Sequence, residues 1–416
     1  MKFKSFNILL ACMLLTVSAG FSQQKNYSFD SSISREVLEN YLSRAVTMTE
    51  FLTDSVYCLD SRNMNPDKTD DIRLIKNIGA KFIGRAIYRW NGEAHLTKAD
   101  FWDTPRKVVK MVHDADPDIV LQAAIFETVS PQVDSVKIPA WVFEEFGMKA
   151  ENRNFSYDSM LNLKGRMVNH WGRASVPDIT RTETQLWYMF LFGSYINIGI
   201  EAIHWGQIGL IGMEDRGFVV WKQFMDKTRE YAKKHARRHY VLFDAHTASG
   251  GMVVEGVSLL DFNAFPMRIK DIVDKPQEAE LEVGYLDALF LRSKGCISPS
   301  GWSCDALPYL VEFDNFGVSR TPGEATPTSI YVWGYDEFTW LIMQPIEYQK
   351  YWIAYADKWI RTTDPNGYLQ MPVARIASFG GGKPSNRMRL NMPSALCPEG
   401  LGLEDAIKKV WENRNY

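Results

Sequence analysis

The chain has 416 residues, of which 46% are hydrophobic and 23% are charged, and its formal net charge is −3. This composition is typical of a folded globular protein and excludes extensive disorder. A slightly acidic chain without a long basic run is a poor nucleic-acid binder, so no nucleic-acid partner is expected. The length fits one large α/β barrel or two smaller domains.

The N-terminus has the pattern of a secretory signal peptide. Lys2 and Lys4 precede the apolar run ILLACMLLTVSAG, which is too short to span a membrane with ordinary flanks. Small residues near Ser22 predict cleavage there, which leaves residues 23–416 as one exported domain without a transmembrane anchor. We therefore expect the protein in the periplasm or at the surface of a Gram-negative bacterium. An uncleaved anchor and a lipid on Cys12, in the box-like LLAC, are the alternatives.

Short apolar runs then alternate with helical patterns. A first helix is predicted over residues 34–55. Eight strands are predicted within SVYCLDS, AKFIGRAIY, DIVLQAAIFET, IEAIHWGQIG, HYVLFDAH, VSLLDFNAF, PYLVEFDNF and GYLQMPVARI. Clear helical periodicity occurs in TRTETQLWYMFLFGSYINIG, GFVVWKQFMDKTREYAKKHARR and DEFTWLIMQPIEYQKYWIAYADKWI. Thr180 and Glu183 form a capping-box pattern, and Pro345 predicts a kink in the third of these helices.

This alternation predicts a parallel sheet covered by helices. Eight strands over this length favour a (β/α)8 TIM barrel with long inserted loops, an N-terminal helix and a C-terminal loop and helix extension. A doubly wound open sheet is the alternative. No GxGxxG opens a helix after an early strand, so a dinucleotide site is disfavoured and no cofactor is predicted.

Polar side chains are concentrated where the predicted strands end. In a barrel these ends converge on one face, where the site is built. The candidates are Asp60, Arg62, Arg85, Glu127, His204, Gln207, Asp244, His246, Asp261, Asn263, Glu312 and Asp314. Hydrolysis of a glycosidic bond needs an acid and a second carboxylate that acts as nucleophile or base.

Glu127 and Glu312 are the first predicted catalytic pair, and Asp244 and Asp314 are the second. Glu127 and Glu312 each follow a long apolar strand and lie beside a phenylalanine. The alternation in EFDNF predicts that Glu312 and Asp314 share one face of the strand. Replacement of Glu312 by glutamine is therefore expected to abolish turnover and leave the fold intact.

Aromatic residues in loops and at strand ends suit the apolar faces of sugar rings. Trp302 is the preferred stacking platform. The predicted substrate-binding residues are Arg85, Trp90, His204, Trp205, Gln207, His246, Asn263 and Trp302. No HExxH or zinc spacing is present and no metal is predicted, although oxygen ligands near Asp261 and Asp314 leave a hard cation as an alternative. Cys296 and Cys304 bracket a short loop and can be a disulfide or free thiols.

Together, the export signal, strand–helix order, acidic strand ends and aromatic loops resemble the secreted (β/α)8 glycoside hydrolases of Gram-negative gut and soil bacteria, over residues 50–376. In the large retaining clan of these barrels, the acid is a glutamate after the fourth strand and the nucleophile a glutamate after the seventh. Glu312 matches the second position. Gln207 stands where the acid is expected, so the resemblance implies an acid from another strand, such as Glu127, or a loss of hydrolysis.

The sequence thus predicts an exported glycoside hydrolase that acts on plant or host oligo- or polysaccharides. A non-catalytic glycan-binding barrel with the same aromatic residues is the alternative. A polysaccharide lyase or an esterase is a weaker one, and the nucleophile elbow GxSxG that a Ser/His/Asp esterase would need is absent.

Overall fold

The computed structural model describes residues 25–58, 67–286 and 291–414. Eight parallel strands form a closed ring, because the first pairs with both the second and the eighth. They are β1 (Ala45–Met48), β2 (Phe82–Tyr88), β3 (Val120–Ala124), β4 (Ala202–Gln207), β5 (Leu242–His246), β6 (Asn263–Pro266), β7 (Tyr309–Glu312) and β8 (Gly367–Ala377). A ninth strand, β9 (Asn386–Arg389), pairs antiparallel with β8. The predicted (β/α)8 barrel is confirmed.

Helices cover the outside of the ring and fill several connections. They are α1 (Arg35–Leu42), α2 (Thr69–Ile78), α3 (Asp103–Ala115), α4 (Ala140–Glu145), α5 (Tyr157–Met160), α6 (Thr182–Ile196), α7 (Ile208–Ile211), α8 (Val219–His235), α9 (Glu337–Met343), α10 (Ile346–Thr363) and α11 (Glu404–Glu412). None of the helices in the described ranges is both long and apolar enough to cross a membrane.

The first strand lies where a helix was predicted. Helix α1 ends at Leu42, and β1 follows within the predicted helical segment. All four residues of β1 are buried between β2 and β8, and Val46 and Thr47 are β-branched, so sheet pairing outweighs the weak helical periodicity. The predicted strand SVYCLDS instead begins as a 3-10 turn, Ser55–Tyr57. Asp60 and Arg62, like residues 1–22, lie outside the described residues.

Two local predictions about helices also change. Pro345 separates α9 from α10 completely, because it lacks the N–H that a continuous helix requires. The Thr180–Glu183 capping box is not formed. The Thr180 hydroxyl donates to Asp178, and the Glu183 carboxylate accepts from Arg153.

The barrel interior is divided into two layers. A buried apolar cluster fills the end where the strands begin, and it includes Phe82, Val120, Leu242 and Leu310. The N-terminal segment packs beneath it through Phe29 and Ile33. Because this end is closed by side chains, polar groups inside the ring accumulate at the opposite end, where the strands finish.

Candidate active site

A cavity of about 520 Å³ opens at the C-terminal ends of the strands. Seven of the residues predicted for the site line it, namely Arg85, Trp90, Glu127, His204, Gln207, His246 and Asp314. They come from or directly follow β2, β3, β4, β5 and β7, so the ring brings together residues that are far apart in the chain.

Arg85 enters the cavity from a distorted part of β2. Its φ is 57°, in the left-handed region that non-glycine residues rarely adopt, and the register with β3 shifts between Ile83 and Ile87. The Arg85 N–H donates to Gln122 Oε1 at 3.1 Å, which supports this conformation. Strained backbone of this kind is concentrated at functional sites, where it directs a side chain.

Glu312 lies beneath the cavity rather than on its wall. Its Oε1 accepts from the Arg85 guanidinium and lies 3.1 Å from His246 Nε2, and its Oε2 accepts from Arg375 Nη1 at 2.7 Å. The side chain is 1% exposed. Burial raises the pKa of Glu312, but Arg85 and Arg375 outweigh burial and hold that pKa well below its ordinary value. Because both oxygens of this ionised carboxylate have partners, Glu312 can hold the side chains of Arg85, Arg375 and His246 in position.

Asp314, by contrast, reaches the cavity wall. Its Oδ1 accepts from the Asn315 N–H at 2.8 Å and lies 3.4 Å from Arg375 Nη2. Its own N–H donates to Glu337 Oε2 at 2.9 Å. The Arg375 guanidinium contacts both Glu312 and Asp314, and because β7 ends at Glu312, Asp314 follows the strand rather than sharing a face of it. Arg375 is not among the residues predicted from the sequence. It lies near the end of the eighth strand, so the rule used for the other strands could have found it.

Glu127 is held on the opposite wall by one neighbour. Its Oε2 accepts from the Gln207 N–H and its Oε1 from Gln207 Nε2, both at 2.9 Å. Gly206 makes this approach possible, because it has a φ of 58° and an added Cβ would overlap the Glu127 carboxylate. A side-chain amide can donate to a carboxylate or accept from a carboxylic acid, so Gln207 suits either protonation state of Glu127.

The strand order places Glu127 and Asp314 across the cavity from each other. Glu127 follows β3 and Asp314 follows β7, and these strands are four positions apart in a ring of eight, whichever way the ring is followed. Both line the same cavity. They are therefore the two carboxylates that face a common space from opposite sides.

A second group of polar residues lies at the cavity floor. His204 Nδ1 is 2.7 Å from Asp244 Oδ2, and Gln122 Nε2 donates to Asp244 Oδ1 at 2.6 Å. Burial lowers the pKa of His204 well below its ordinary value and raises that of Asp244 well above its own. His204 lines the cavity, whereas Asp244 lies behind it.

Aromatic rings form one wall. Trp90 packs edge-to-face against Phe126 and Trp171, with centroid separations of 5.3 and 5.2 Å. Trp90 is a predicted binding residue. Trp171 was missed because it lies in the long connection between α5 and α6, away from any strand end.

Three predicted binding residues do not reach the cavity, which corrects those predictions. Trp205 is fully buried outside the ring against Phe192 and Phe243, because its position on β4 points away from the interior. Trp302 donates from Nε1 to Ile33 O at 3.1 Å and packs at the closed end of the barrel. Asn263 begins β6 in register with Tyr309, below the level of the site.

The structure also shows the surroundings of Asp261, which was considered as a cation ligand, and of Cys296 and Cys304. Asp261 accepts from Arg229, Tyr240 and the Phe243 N–H, which is a structural network rather than an open ligand set. Within residues 25–58, 67–286 and 291–414, no three His, Cys, Asp or Glu side chains are grouped to hold a metal ion. Cys296 and Cys304 are thiols opposite each other on paired short strands, with their Sγ atoms 3.8 Å apart.

Comparison with solved structures found partial likenesses to sugar-processing enzymes. One is an α-galactosidase from Geobacillus stearothermophilus, with 13% identity, a TM-score of 0.29, and coverage of 50% of this chain and 28% of that chain. An α-galactosidase from Thermus thermophilus has 17% identity and a TM-score of 0.32, with coverage of 58% and 50%. A β-L-arabinopyranosidase from Geobacillus stearothermophilus has 10% identity and a TM-score of 0.30, with coverage of 54% and 53%.

The present chain therefore spans about half or less of the length of these structures. No protein-family model matches the sequence, and no curated protein does.

Proposed function

We propose that the protein is an exported glycoside hydrolase that acts on plant or host glycans and that Glu127 and Asp314 are its catalytic carboxylates. The observation that carries this proposal is that the two carboxylates line one cavity from opposite strands, beside the aromatic wall of Trp90 and Trp171. Cleavage of a glycosidic bond requires two carboxyl groups on either side of the bond, and aromatic rings suit the apolar faces of sugars.

The neighbours of each carboxylate suggest how the two roles are divided. Glu127 is paired with an amide that accommodates both protonation states, so it suits the group that protonates the leaving oxygen and later regains a proton. Asp314 accepts from the Asn315 N–H and lies beside Arg375, and it is the more exposed of the two. We assign it the role of nucleophile, or of base toward a water molecule.

This assignment takes one residue from each of the pairs predicted from the sequence. Glu312 and Asp244 become supporting residues, since Glu312 is enclosed by Arg85, Arg375 and His246, and Asp244 lies behind His204. The proposed acid follows the third strand rather than the fourth, where Gln207 stands and holds Glu127 in place.

A panel of plant and host glycans incubated with the purified protein tests the proposal. We expect Glu127→Gln and Asp314→Asn each to lower kcat by about 10²- to 10⁴-fold, because an amide cannot transfer the proton or attack the sugar. Glu230→Gln and Asp114→Asn are matched controls, because both side chains are exposed members of helical ion pairs outside the cavity. Normal turnover by both cavity variants would exclude this pair. Binding without hydrolysis of any glycan would favour the non-catalytic alternative.

Export is tested independently. N-terminal sequencing of protein from the envelope fraction is expected to begin close to residue 23. An intact Met1 in a cytoplasmic fraction would contradict export, whereas a lipid on Cys12 would contradict only release of the protein from the membrane.

A further inference from the structure

One buried atom at the cavity floor lacks a partner. His204 is 1% exposed, and its Nε2 makes no hydrogen bond with any residue in the described ranges. A buried polar atom without a partner costs free energy, and one that lines a cavity can recover that free energy by a hydrogen bond to a ligand or a water molecule. His204 lines the cavity that contains Glu127 and Asp314.

Donor and acceptor can be assigned for each hydrogen bond between Arg85 and Asp244, starting from the backbone N–H of Arg85. The Arg85 N–H can only donate, so Gln122 must present its Oε1 to Arg85 and its Nε2 to Asp244. Asp244 Oδ1 therefore acts as the acceptor. The remaining oxygen, Oδ2, faces His204 Nδ1 at 2.7 Å and is the atom that carries a hydrogen whenever the carboxyl is protonated.

We infer that Gln122, Asp244 and His204 form a neutral hydrogen-bonded relay that presents the N–H of His204 Nε2 to an oxygen of the sugar bound in the cavity. In this arrangement Asp244 Oδ2–H donates to His204 Nδ1, and the imidazole carries its own hydrogen on Nε2. Each hydrogen bond in the relay then has its donor on the Arg85 side and its acceptor on the ligand side. Gln122, Asp244 and His204 are all uncharged in this arrangement. His204 is thus a substrate-binding residue, and Asp244 and Gln122 position it.

Burial and the neighbouring charges agree with this protonation. Burial is the largest cause of both shifts, which lower the pKa of His204 and raise that of Asp244, so both shifts favour the neutral forms of the two groups. The charges that act on the relay come from two paired groups. Glu312 pairs with Arg85 and Arg375, and Asp261 pairs with Arg229. His246 stands 4.9 Å from His204 between ring centroids. The oxygen that binds here is a hydroxyl, ether or carboxylate oxygen of a sugar, and this identification rests on the proposed function.

Nitrogen NMR of the ligand-free protein tests the relay directly. With ¹⁵N-labelled histidine, we expect the His204 signal to show hydrogen on Nε2 and none on Nδ1, with no titration from about pH 5 to about pH 8. The Asp244→Asn variant should keep that tautomer, because its Nδ2–H replaces the carboxyl Oδ2–H. Hydrogen on Nδ1 in the wild type, or a change of tautomer in Asp244→Asn, would overturn the inference.

Binding is measured separately with methyl glycosides of neutral sugars and of uronates as probes. A glycoside that changes tryptophan fluorescence should also shift the His204 Nε2–H resonance, and His204→Phe should weaken its binding about tenfold, the size of one lost hydrogen bond. A bound glycoside that leaves this resonance unmoved would contradict the inference. His113 serves as the reference signal, because its Nε2 faces Ile119 O away from the cavity. Because neither readout requires turnover, failure of hydrolysis alone would reject the proposed function and leave the relay standing.

Discussion

Arg85 donates through its guanidinium to both oxygens of Glu312, and its backbone N–H donates to Gln122. One residue of β2 thus connects the ionised group beneath the cavity with the neutral relay at its floor. The left-handed backbone of Arg85 sets the direction of its side chain, toward Glu312, and of its N–H, toward Gln122. Both parts of the site therefore depend on the distortion of β2.

Glu312→Gln is expected to lower stability and activity together. An amide cannot compensate Arg85 and Arg375, and loss of one partner from a buried ionic group costs about 3–5 kcal/mol. Thermal unfolding and turnover of the same preparation measure both effects. Asp314→Asn is the control, because its partly exposed side chain should affect turnover with little change in Tm. A stable but inactive Glu312→Gln would instead restore the direct catalytic role predicted from the sequence.

Gly206→Ala is expected to reduce turnover at least about tenfold while the protein stays folded. The added methyl group would overlap the Glu127 carboxylate and disfavour the backbone conformation, so Glu127 must leave its place on Gln207. Steady-state kinetics and far-UV circular dichroism provide the readouts. Gly209→Ala, three residues later in α7, has no heavy atom within 4 Å of the added carbon and should behave like the wild type. Equal turnover by the two variants would argue against a catalytic Glu127.

Trp171→Ala is expected to weaken glycan binding about tenfold, whereas Trp302→Ala should leave it unchanged. Trp171 lines the cavity, but Trp302 contacts Ile33 and Arg35 at the closed end. Isothermal titration with a substrate glycan measures the affinity, and a tenfold loss corresponds to about 1.4 kcal/mol. Trp302→Ala should lower Tm instead. A loss of affinity in Trp302→Ala alone would indicate a second binding site at that end.

Stability is expected to fall in mild acid because of His113. Burial, reinforced by Arg237, lowers the pKa of His113 to about 4, whereas the unfolded chain retains an ordinary value near 6.5. Its contribution is fully present above about pH 6.5 and is lost as the pH falls toward about 4, up to about 3 kcal/mol. Urea unfolding at several pH values measures this slope. His113→Gln, which can still donate to Ile119 O, should flatten it, and an unchanged slope would assign the effect to other groups.

Seven of the eight strands and the barrel itself could be predicted from the sequence, because apolar runs bounded by turns report directly on burial. The strand β1 could not, since four residues after a helix carry too little periodicity to be distinguished from its continuation. The strand conformation of β1 depends on its pairing with β8, which lies more than three hundred residues later in the chain.

The candidate site was also predictable only in part, because it too depends on contacts between distant parts of the chain. The rule that strand ends meet on one face does bring Glu127, His204 and Asp314 to the cavity. It could not reveal that Glu312 faces two arginines beneath the cavity, or that Trp205 points outward, because those outcomes depend on side-chain direction and on partners from other strands. Trp171 comes from a long loop whose path the sequence does not specify.

The pairing of β1 with β8 also constrains the order of assembly. Until Gly367–Ala377 is available, β1 has a partner on one side only, and an incomplete chain exposes unpaired backbone groups at β1 and at β7. Closure of the ring therefore requires the last strand and joins residues that are far apart in the chain, and non-local pairing of this kind is typical of slow folding. A chain that crosses a membrane before it folds would be prone to strand exchange with other copies until its last strand arrives, and a chaperone that shields these two edges would raise the yield of folded barrel.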